Sequence, residues 1–196
     1  MVPTAVDRAN GLELTRQTLL GWARAYDRGY RWARAEREIK RVLRRRRLAG
    51  HPYLSRRLFA VLAEWKTPRI RGRIARNSAA AIRRATGAAF VARDDAARLR
   101  ALLALDGVGL PVASVILHFA FPGRYPILDA YVRTALRALG RLPRAPVASP
   151  AGWPAYCAVL RVLAREHRVS LRTLDKALWT LGRELARDPR SPRRAR

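Results

Sequence analysis

The chain has 196 residues, with 41 Lys or Arg against 14 Asp or Glu, so its formal net charge is +27. This length suits one domain, or two lobes that share a core. The charge favours an anionic partner, and nucleic acid is the first candidate because neutralised phosphates release counterions whatever the sequence. Almost all of the excess is arginine, so a biased genome composition, which favours arginine and alanine codons, is the alternative explanation.

Several classes of protein are excluded by what the chain contains. Cys157 is the only cysteine, so no disulfide within the chain and no cysteine-based zinc or iron–sulfur site can form. The first residues lack the apolar core of a secretory signal. The longest apolar run, residues 111–121, is interrupted by Ser114 and His118 and is shorter than the roughly 20 residues that span a bilayer. We therefore expect a cytoplasmic protein without membrane contact, metal or cofactor.

Apolar residues recur at spacings of three and four along most of the chain, which predicts helices. In chain order, the predicted helices span residues 12–26, 32–48, 53–65, 79–86, 96–105, 127–139, 154–167 and 171–186, with a helical restart at Pro68. Residues 141–154 hold several prolines and predict a loop. No segment alternates like a strand, so the predicted class is all-α without a substantial sheet.

The predicted organisation has three parts. Residues 1–10 form a flexible N-terminus, residues 11–186 a single helical domain, and residues 187–196 a basic, disordered tail. Within the domain, Trp22 and Tyr26 belong to an aromatic stripe with helical spacing, which is interpreted as core. His118 is interpreted as a buried histidine with a hydrogen-bond partner.

A sharp turn is predicted where Asp106-Gly107-Val108-Gly109 joins two apolar helices. Glycine permits a positive φ and lets the backbone approach a ligand closely. The N–H groups of this turn and of the following helix then point at one spot, which suits a phosphate. Val108 is expected to point inward and lock the two helices together.

The stretch LDGVGLPVAS resembles the helix-hairpin-helix of the DNA glycosylase superfamily, and FPGRYPILDAYVRTAL resembles the loop and helix that carry its catalytic aspartate. The likeness covers about residues 97–139, and Asp129 follows Gly109 by 129 − 109 = 20 positions, as in the family. It implies a two-lobed helical bundle, with the hairpin at residues 96–121 and the catalytic loop and helix at 122–139. The DNA-contacting residues that it implies are Gly107, Val108, Gly109 and Pro111.

The implied activity is removal of a damaged or mismatched base from double-stranded DNA by a monomeric, nucleoid-associated protein. Asp129 would stabilise the positive charge that develops on the deoxyribose when the base leaves. The alternative is that Asp129 is only a helix-start residue that stabilises the fold.

Two departures from the family pattern narrow the expectation. Pro111 stands where bifunctional members carry a lysine, so no Schiff base can form there and a monofunctional enzyme is implied. Tyr131 stands where the family often has histidine. Two rivals remain: a non-catalytic DNA-binding module that kept the scaffold, and a basic RNA- or ribosome-associated protein.

A glycosylase must also hold the extruded nucleotide between pocket walls. Tyr125 and Tyr131 flank Asp129 in sequence and are the first candidates for the base pocket, with packing as the alternative. Trp65 and Lys66 lie at a helix break and are further candidates, against a capped turn with a solvent-directed lysine.

Overall fold

The computed structural model describes residues 7–9, 12–29, 33–48, 50, 52–144 and 146–187. Almost all of the predicted basic tail, residues 188–196, lies outside this part of the chain, as do most positions of the predicted flexible N-terminus. The described residues are predominantly helical, which confirms the all-α class.

The helices are α1 (Arg16–Arg28), α2 (Ala33–Leu48), α3 (Arg56–Lys66), α4 (Arg71–Ile74), α5 (Ala79–Val91), α6 (Asp95–Leu103), α7 (Leu110–Ala120), α8 (Ala130–Ala138), α9 (Trp153–Glu166) and α10 (Leu171–Arg187). A single 3₁₀ turn, Pro68–Ile70, leads into α4. None of the described helices has the length and apolar character needed to cross a membrane.

Two short strands precede the helices. Strand β1 (Asp7–Ala9) pairs antiparallel with β2 (Leu12–Leu14). Residues 7–9 of the predicted flexible N-terminus form strand β1, and the first helix begins at Arg16 instead of residue 12. In sequence, Asn10-Gly11 between the strands is a dipeptide typical of tight hairpins, and three-residue strands are too short to show alternation.

Side-chain caps fix where several helices begin. Thr15 accepts a hydrogen bond from the N–H of Thr18 at 3.1 Å and starts α1. Ser55, Ser78 and Asp94 cap α3, α5 and α6 in the same way. Each cap satisfies a backbone N–H that has no partner within the helix.

The core is built around two helices. Helix α7 is buried at nearly every position and packs against α2, α3 and α6. Helix α10 packs between α1 and α8. Gly182 of α10 approaches α8 so closely that an added Cβ would fall 1.9 Å from the carbonyl oxygen of Tyr131. The two helices therefore touch backbone to backbone at this point.

Candidate functional site

The turn between α6 and α7 has the sharp geometry that the sequence predicts. Gly107 adopts φ +76°, in the left-handed region that favours glycine. A Cβ at this position would lie 3.0 Å from Arg73 Cβ and 3.0 Å from Ile74 Cγ2. The glycine is therefore required by packing against α4 as well as by the turn itself.

Asn77 braces the same turn from the neighbouring segment. Its Nδ2 donates to the carbonyl oxygens of Ile74 at 3.0 Å and of Asp106 at 2.9 Å, and its Oδ1 accepts from the N–H of Asp106 at 2.9 Å. The side chain is buried, at 7% exposure. The sequence gives no local sign of this role, since the partner of Asn77 in the turn is 29 positions away.

The start of α7 leaves two backbone donors without partners, although Leu110 itself is buried, at 5% exposure. Gly109 is exposed, and neither its N–H nor that of Leu110 has a hydrogen-bond partner among the described residues. Val108, by contrast, is buried and its N–H donates to the carbonyl of Leu105 at 3.1 Å. Among the predicted phosphate contacts, the N–H of Gly109 is therefore available to a ligand, whereas the Val108 side chain points inward between the two helices. Pro111 is exposed but has no N–H to donate.

The segment after α7 folds back along that helix. The hydroxyl of Ser114 donates to the carbonyl of Pro111 at 2.7 Å and accepts from the N–H of Leu128 at 2.9 Å. This pair of bonds ties the residue before Asp129 to the first turn of α7. Asp129 therefore lies toward the end of α7 that carries the glycine turn.

Two further bonds hold this returning segment. The ring of His118 donates from Nδ1 to the carbonyl of Tyr125 at 2.8 Å, and Tyr156 donates to the carbonyl of Ile127 at 2.8 Å. His118 is buried and hydrogen-bonded, as predicted. Buried donors thus satisfy carbonyls of an irregular segment, which fixes its path.

Asp129 is the N-cap of α8. Its Oδ1 accepts from the N–H of Tyr131 at 2.9 Å, and its Oδ2 lies 2.6 Å from Nζ of Lys66. The predicted helix began at residue 127 with Asp129 inside its first turn; the observed helix begins at Ala130. The difference arises because side chains of α7 and α9 hydrogen-bond to residues 125–128 and hold them outside a helix, which local sequence does not reveal.

Asp129 faces a cavity of about 450 Å³ between the end of α3, the start of α8, and helices α1 and α10. Its lining includes Tyr26, Trp65, Lys66, Ile127, Arg172, Asp175, Trp179 and Arg183. The carboxylate side chain keeps 20% of its surface exposed and that of Lys66 keeps 12%. The ion pair is thus largely shielded yet open to a ligand on one side.

A buried charge cluster forms the floor beneath this cavity. Arg172 donates to both carboxylate oxygens of Glu36, at 3.1 and 2.7 Å, and also contacts Asp175. Its guanidinium lies 5.3 Å from the ring centroid of Trp65 and 5.3 Å from that of Tyr26. The arginine therefore fixes two aromatic walls at once.

The two carboxylates of this cluster respond oppositely to burial. Burial raises the pKa of Asp175 to about 6, against the opposing effect of Arg172, and the nearby Asp129 carboxylate adds to the increase. Burial would also raise the pKa of Glu36, but the hydrogen bonds and charge of Arg172 outweigh it and hold that pKa well below its ordinary range. Arg172 stabilises the charged form of Glu36 more than that of Asp175, because its contact with Glu36 is bidentate.

The predicted base-pocket residues separate into two groups. Trp65 and Lys66 line the Asp129 cavity. Tyr125 does not: it is fully buried, stacks on Trp153 at 5.4 Å and donates to Asp95 at 2.6 Å. Its burial, followed by the Asp95 hydrogen bond, raises its pKa to about 12. Tyr125 therefore packs in the core and does not line this cavity.

Tyr131 also stays outside the lining, although it contributes indirectly. Its ring meets Trp179 edge to face at 5.4 Å, and Trp179 is part of the cavity wall. The side chain of Tyr131 points toward α10. Residues two positions apart do not lie on the same face of a helix, so this side chain diverges from that of Asp129. Sequence adjacency to Asp129 was therefore a poor guide for both tyrosines.

Several residues that line the Asp129 cavity were not predicted as site residues from the sequence. Tyr26 had been assigned to the core, while Arg172, Asp175, Trp179 and Arg183 were not singled out. The last four follow one another at spacings of three and four along α10, so they share a face. A mixed polar and aromatic stripe on an otherwise amphipathic helix was the pattern that could have found them.

The arrangement combines one accessible carboxylate, one ammonium and an aromatic wall. Such a pocket can hold a planar ring and place a negative charge against a developing positive one. Among the described residues, no group of three or more His, Cys, Asp and Glu side chains is placed to hold a metal ion. Comparison of the chain with models of known protein families, with curated proteins and with solved structures finds no match.

Proposed function

We propose that this protein is a two-lobed, helix-hairpin-helix DNA glycosylase-like enzyme that removes a damaged or mismatched base from double-stranded DNA. The observation that carries the proposal is the position of Asp129. Its carboxylate opens into an aromatic-walled cavity, while Ser114 ties the preceding residue to the first turn of α7. The hydrogen bonds of Ser114 therefore connect the backbone anchor at the start of α7 to the carboxylate at the start of α8.

The anchor is the glycine turn. The free N–H groups of Gly109 and Leu110 lie at the positive end of α7, which favours a phosphate. Arg73 and Arg76 are exposed on the adjoining segment, which packs against Gly107 through Arg73 and Ile74. Positive side chains next to free backbone donors position a nucleic-acid backbone without reading its sequence.

The chemistry follows from charge. Cleavage of the glycosidic bond builds positive charge on the sugar, and a carboxylate fixed nearby stabilises that state more than the ground state. Asp129 is held by the N–H of Tyr131 on one oxygen and by Lys66 on the other. In the reactive complex the cationic sugar takes the place that Lys66 occupies, so Lys66 moves off Oδ2 as the nucleotide enters. Asp129 then stabilises the cation and orients the attacking water.

The proposed enzyme is monofunctional. The position that carries the lysine nucleophile in bifunctional relatives is Pro111, which has no amine. Base release is therefore expected to leave an intact strand with an abasic site, and a borohydride-trapped covalent adduct would contradict this part of the proposal.

The direct test measures base release from duplex oligonucleotides that carry uracil, an alkylated base or an oxidised base. The wild-type protein is expected to release at least one of them, and Asp129→Asn to lose release by about 100-fold or more while it binds the same duplex with similar affinity. Glu184→Gln removes a negative charge from an exposed position outside the cavity and serves as the matched control. Retained release in Asp129→Asn would refute the catalytic role.

One observation favours a second candidate, the non-catalytic DNA-binding module. The Asp129 carboxylate is already neutralised by Lys66 at 2.6 Å, as a purely structural carboxylate would be. On this alternative, the wild-type protein binds duplex DNA and releases none of the tested bases. The same oligonucleotide panel therefore separates the two candidates.

A further inference from the structure

A larger cavity, of about 1080 Å³, lies at the other end of α7. It is bounded by the end of α7, by α2, and by the junction between α9 and α10. Six cationic side chains line it: Lys40, Arg44, Arg161, Arg165, Arg168 and Arg172. No acidic side chain is among its lining residues, so the cavity presents one sign of charge.

The cationic side chains differ in whether they already form ion pairs with carboxylates. Lys40 and Arg172 both pair with Glu36, at 2.7 Å each. Arg44 and Arg165 are exposed and form no ion pair with any described residue. Arg44 and Arg165 therefore supply the rim with charge that nothing in the described chain neutralises.

Arg168 adds a conformational observation. It ends α9 with φ +51°, the only non-glycine residue with positive φ among the described residues. The N–H of Val169 closes the turn on the carbonyl of Ala164 at 2.9 Å, a helix end at which glycine is the residue usually found. An arginine here accepts backbone strain and places its side chain on the cavity rim, and strained positions cluster at binding sites.

His118 supplies a polar group on the cavity wall. Its Nδ1 donates to the carbonyl of Tyr125, so Nε2 carries the lone pair, and Nε2 has no partner among the described residues. Burial lowers the pKa of His118 to about 4, which keeps the ring neutral near pH 7. The neighbouring wall is apolar, with Leu43 and Phe119. The wall thus offers one hydrogen-bond acceptor in apolar surroundings.

We propose that this cavity binds a nucleotide-class ligand, whose phosphate lies on Arg44, Arg165 and Arg168 and whose base rests on the apolar wall and donates an N–H to His118. The phosphate-bearing nucleoside belongs either to a free nucleotide or to the end of a DNA strand. This cavity shares only Arg172 with the lining of the Asp129 pocket, and the proposed phosphate contacts are other arginines, so the inference does not depend on the proposed glycosylase activity.

The test is calorimetric titration of the full chain, at fixed near-physiological salt, with deoxyadenosine monophosphate, deoxyadenosine and inorganic phosphate. The monophosphate is expected to bind about tenfold or more tightly than either fragment, since charged hydrogen bonds and the base contact both contribute. The double variant Arg44→Gln/Arg165→Gln should weaken the monophosphate about tenfold or more. Arg24→Gln/Arg137→Gln, which neutralises two exposed arginines outside both cavities, should leave binding within about twofold.

Arg168→Gly gives an independent readout. It removes the side chain and relieves the positive-φ strain, so it should weaken the monophosphate while the unfolding free energy stays equal or rises. A loss of stability together with unchanged binding would overturn the role given to Arg168. An oligonucleotide with a 5′-phosphate that binds more tightly than the free monophosphate identifies a strand end as the ligand; weaker binding identifies a free nucleotide.

Three results would overturn the proposal. They are equal affinity for deoxyadenosine and its monophosphate, equal affinity for inorganic phosphate and the monophosphate, and equal weakening by the two double arginine variants. The last would mean that overall charge, not this cavity, attracts the ligand. Asp129→Asn should bind the monophosphate as the wild type does, so failure here and failure of the glycosylase proposal are told apart.

Discussion

Lys66 at the end of α3 and Asp129 at the start of α8 form an ion pair of 2.6 Å across the candidate active-site cavity. Their side chains are only 12% and 20% exposed, so each charge is poorly hydrated and depends on the other for a partner. Breaking such a pair from one side costs more than the pair itself contributes, because the remaining charge loses its partner and is still poorly hydrated. The contact thus fastens together the two elements that flank the cavity.

A double-mutant cycle measures this coupling. Lys66→Gln and Asp129→Asn are each expected to lower the unfolding free energy by about 1–3 kcal/mol. The loss of unfolding free energy in the double variant should be smaller than the sum of the two single losses, by at least about 1 kcal/mol. Asparagine is as good an N-cap as aspartate, so the cycle leaves the cap of α8 in place. Urea unfolding of the four proteins provides the values, and strictly additive losses would show that the pair is not coupled.

The glycine turn yields a matched pair of substitutions. Gly107→Ala should lower the unfolding free energy by about 1–3 kcal/mol, because φ is +76° and the new Cβ would press on Arg73 and Ile74 at 3.0 Å. Gly109→Ala has ordinary φ and would meet only Pro111 Cδ at 3.7 Å, so stability should change by less than about 0.5 kcal/mol.

DNA binding by the same two variants separates structure from contact. At a temperature where both are folded, Gly109→Ala should weaken duplex binding, since its methyl group stands beside the free N–H groups at the start of α7. Filter or anisotropy titration at stated salt gives the affinity. Wild-type affinity in Gly109→Ala would remove this turn from the DNA interface.

The backbone contact between α8 and α10 is expected to be intolerant of substitution. Gly182→Ala would place a methyl group 1.9 Å from the carbonyl oxygen of Tyr131, which cannot move without shifting α8. The expected loss is about 3 kcal/mol or more. Gly21→Ala in α1 has nothing within 4 Å of the added Cβ and should instead stabilise the protein by up to about 1 kcal/mol. Thermal unfolding compares the pair, and a mild loss in Gly182→Ala would mean that the helices separate easily.

The helices could be predicted because their causes are local. Apolar spacing indicates the buried face, and caps such as Ser78 and Asp94 stand next to the helices they begin. The start of α8 was misplaced because side chains from other helices hydrogen-bond to the preceding residues and hold them outside a helix. The short strands escaped detection because each has only three residues.

The candidate site could be predicted only in part, because its contacts are long-range. Asp129 and Lys66 were each singled out, yet 63 positions separate them and nothing local indicates that they pair. Glu36 and Arg172 are 136 positions apart, and their ion pair depends on how α2 meets α10. Residues adjacent in sequence to Asp129 were assigned to the pocket, whereas the fold supplies its walls from α1, α3 and α10.

The buried carboxylate of Asp175 makes stability depend on pH in a defined direction. Its pKa is raised from the ordinary value of 3.8 to about 6 in the folded protein. Between these two values the folded state binds more protons than the unfolded state, so its stability increases as the pH falls through 6 and toward 4. Above pH 6 the ionised carboxylate is tolerated at a cost.

Comparison with Asp175→Asn isolates this contribution, because Asn does not titrate. His118, whose lowered pKa changes the stability in the opposite direction with pH, is present in both proteins and cancels. The unfolding free energy of the wild type relative to the variant should rise by about 1 kcal/mol from pH 7 to pH 5, and by about 3 kcal/mol at most below pH 4. Urea unfolding at these pH values provides the difference. If that difference stays constant from pH 7 to pH 5, the raised pKa is wrong, and Asp175 titrates in the folded protein as an ordinary carboxyl group despite its burial.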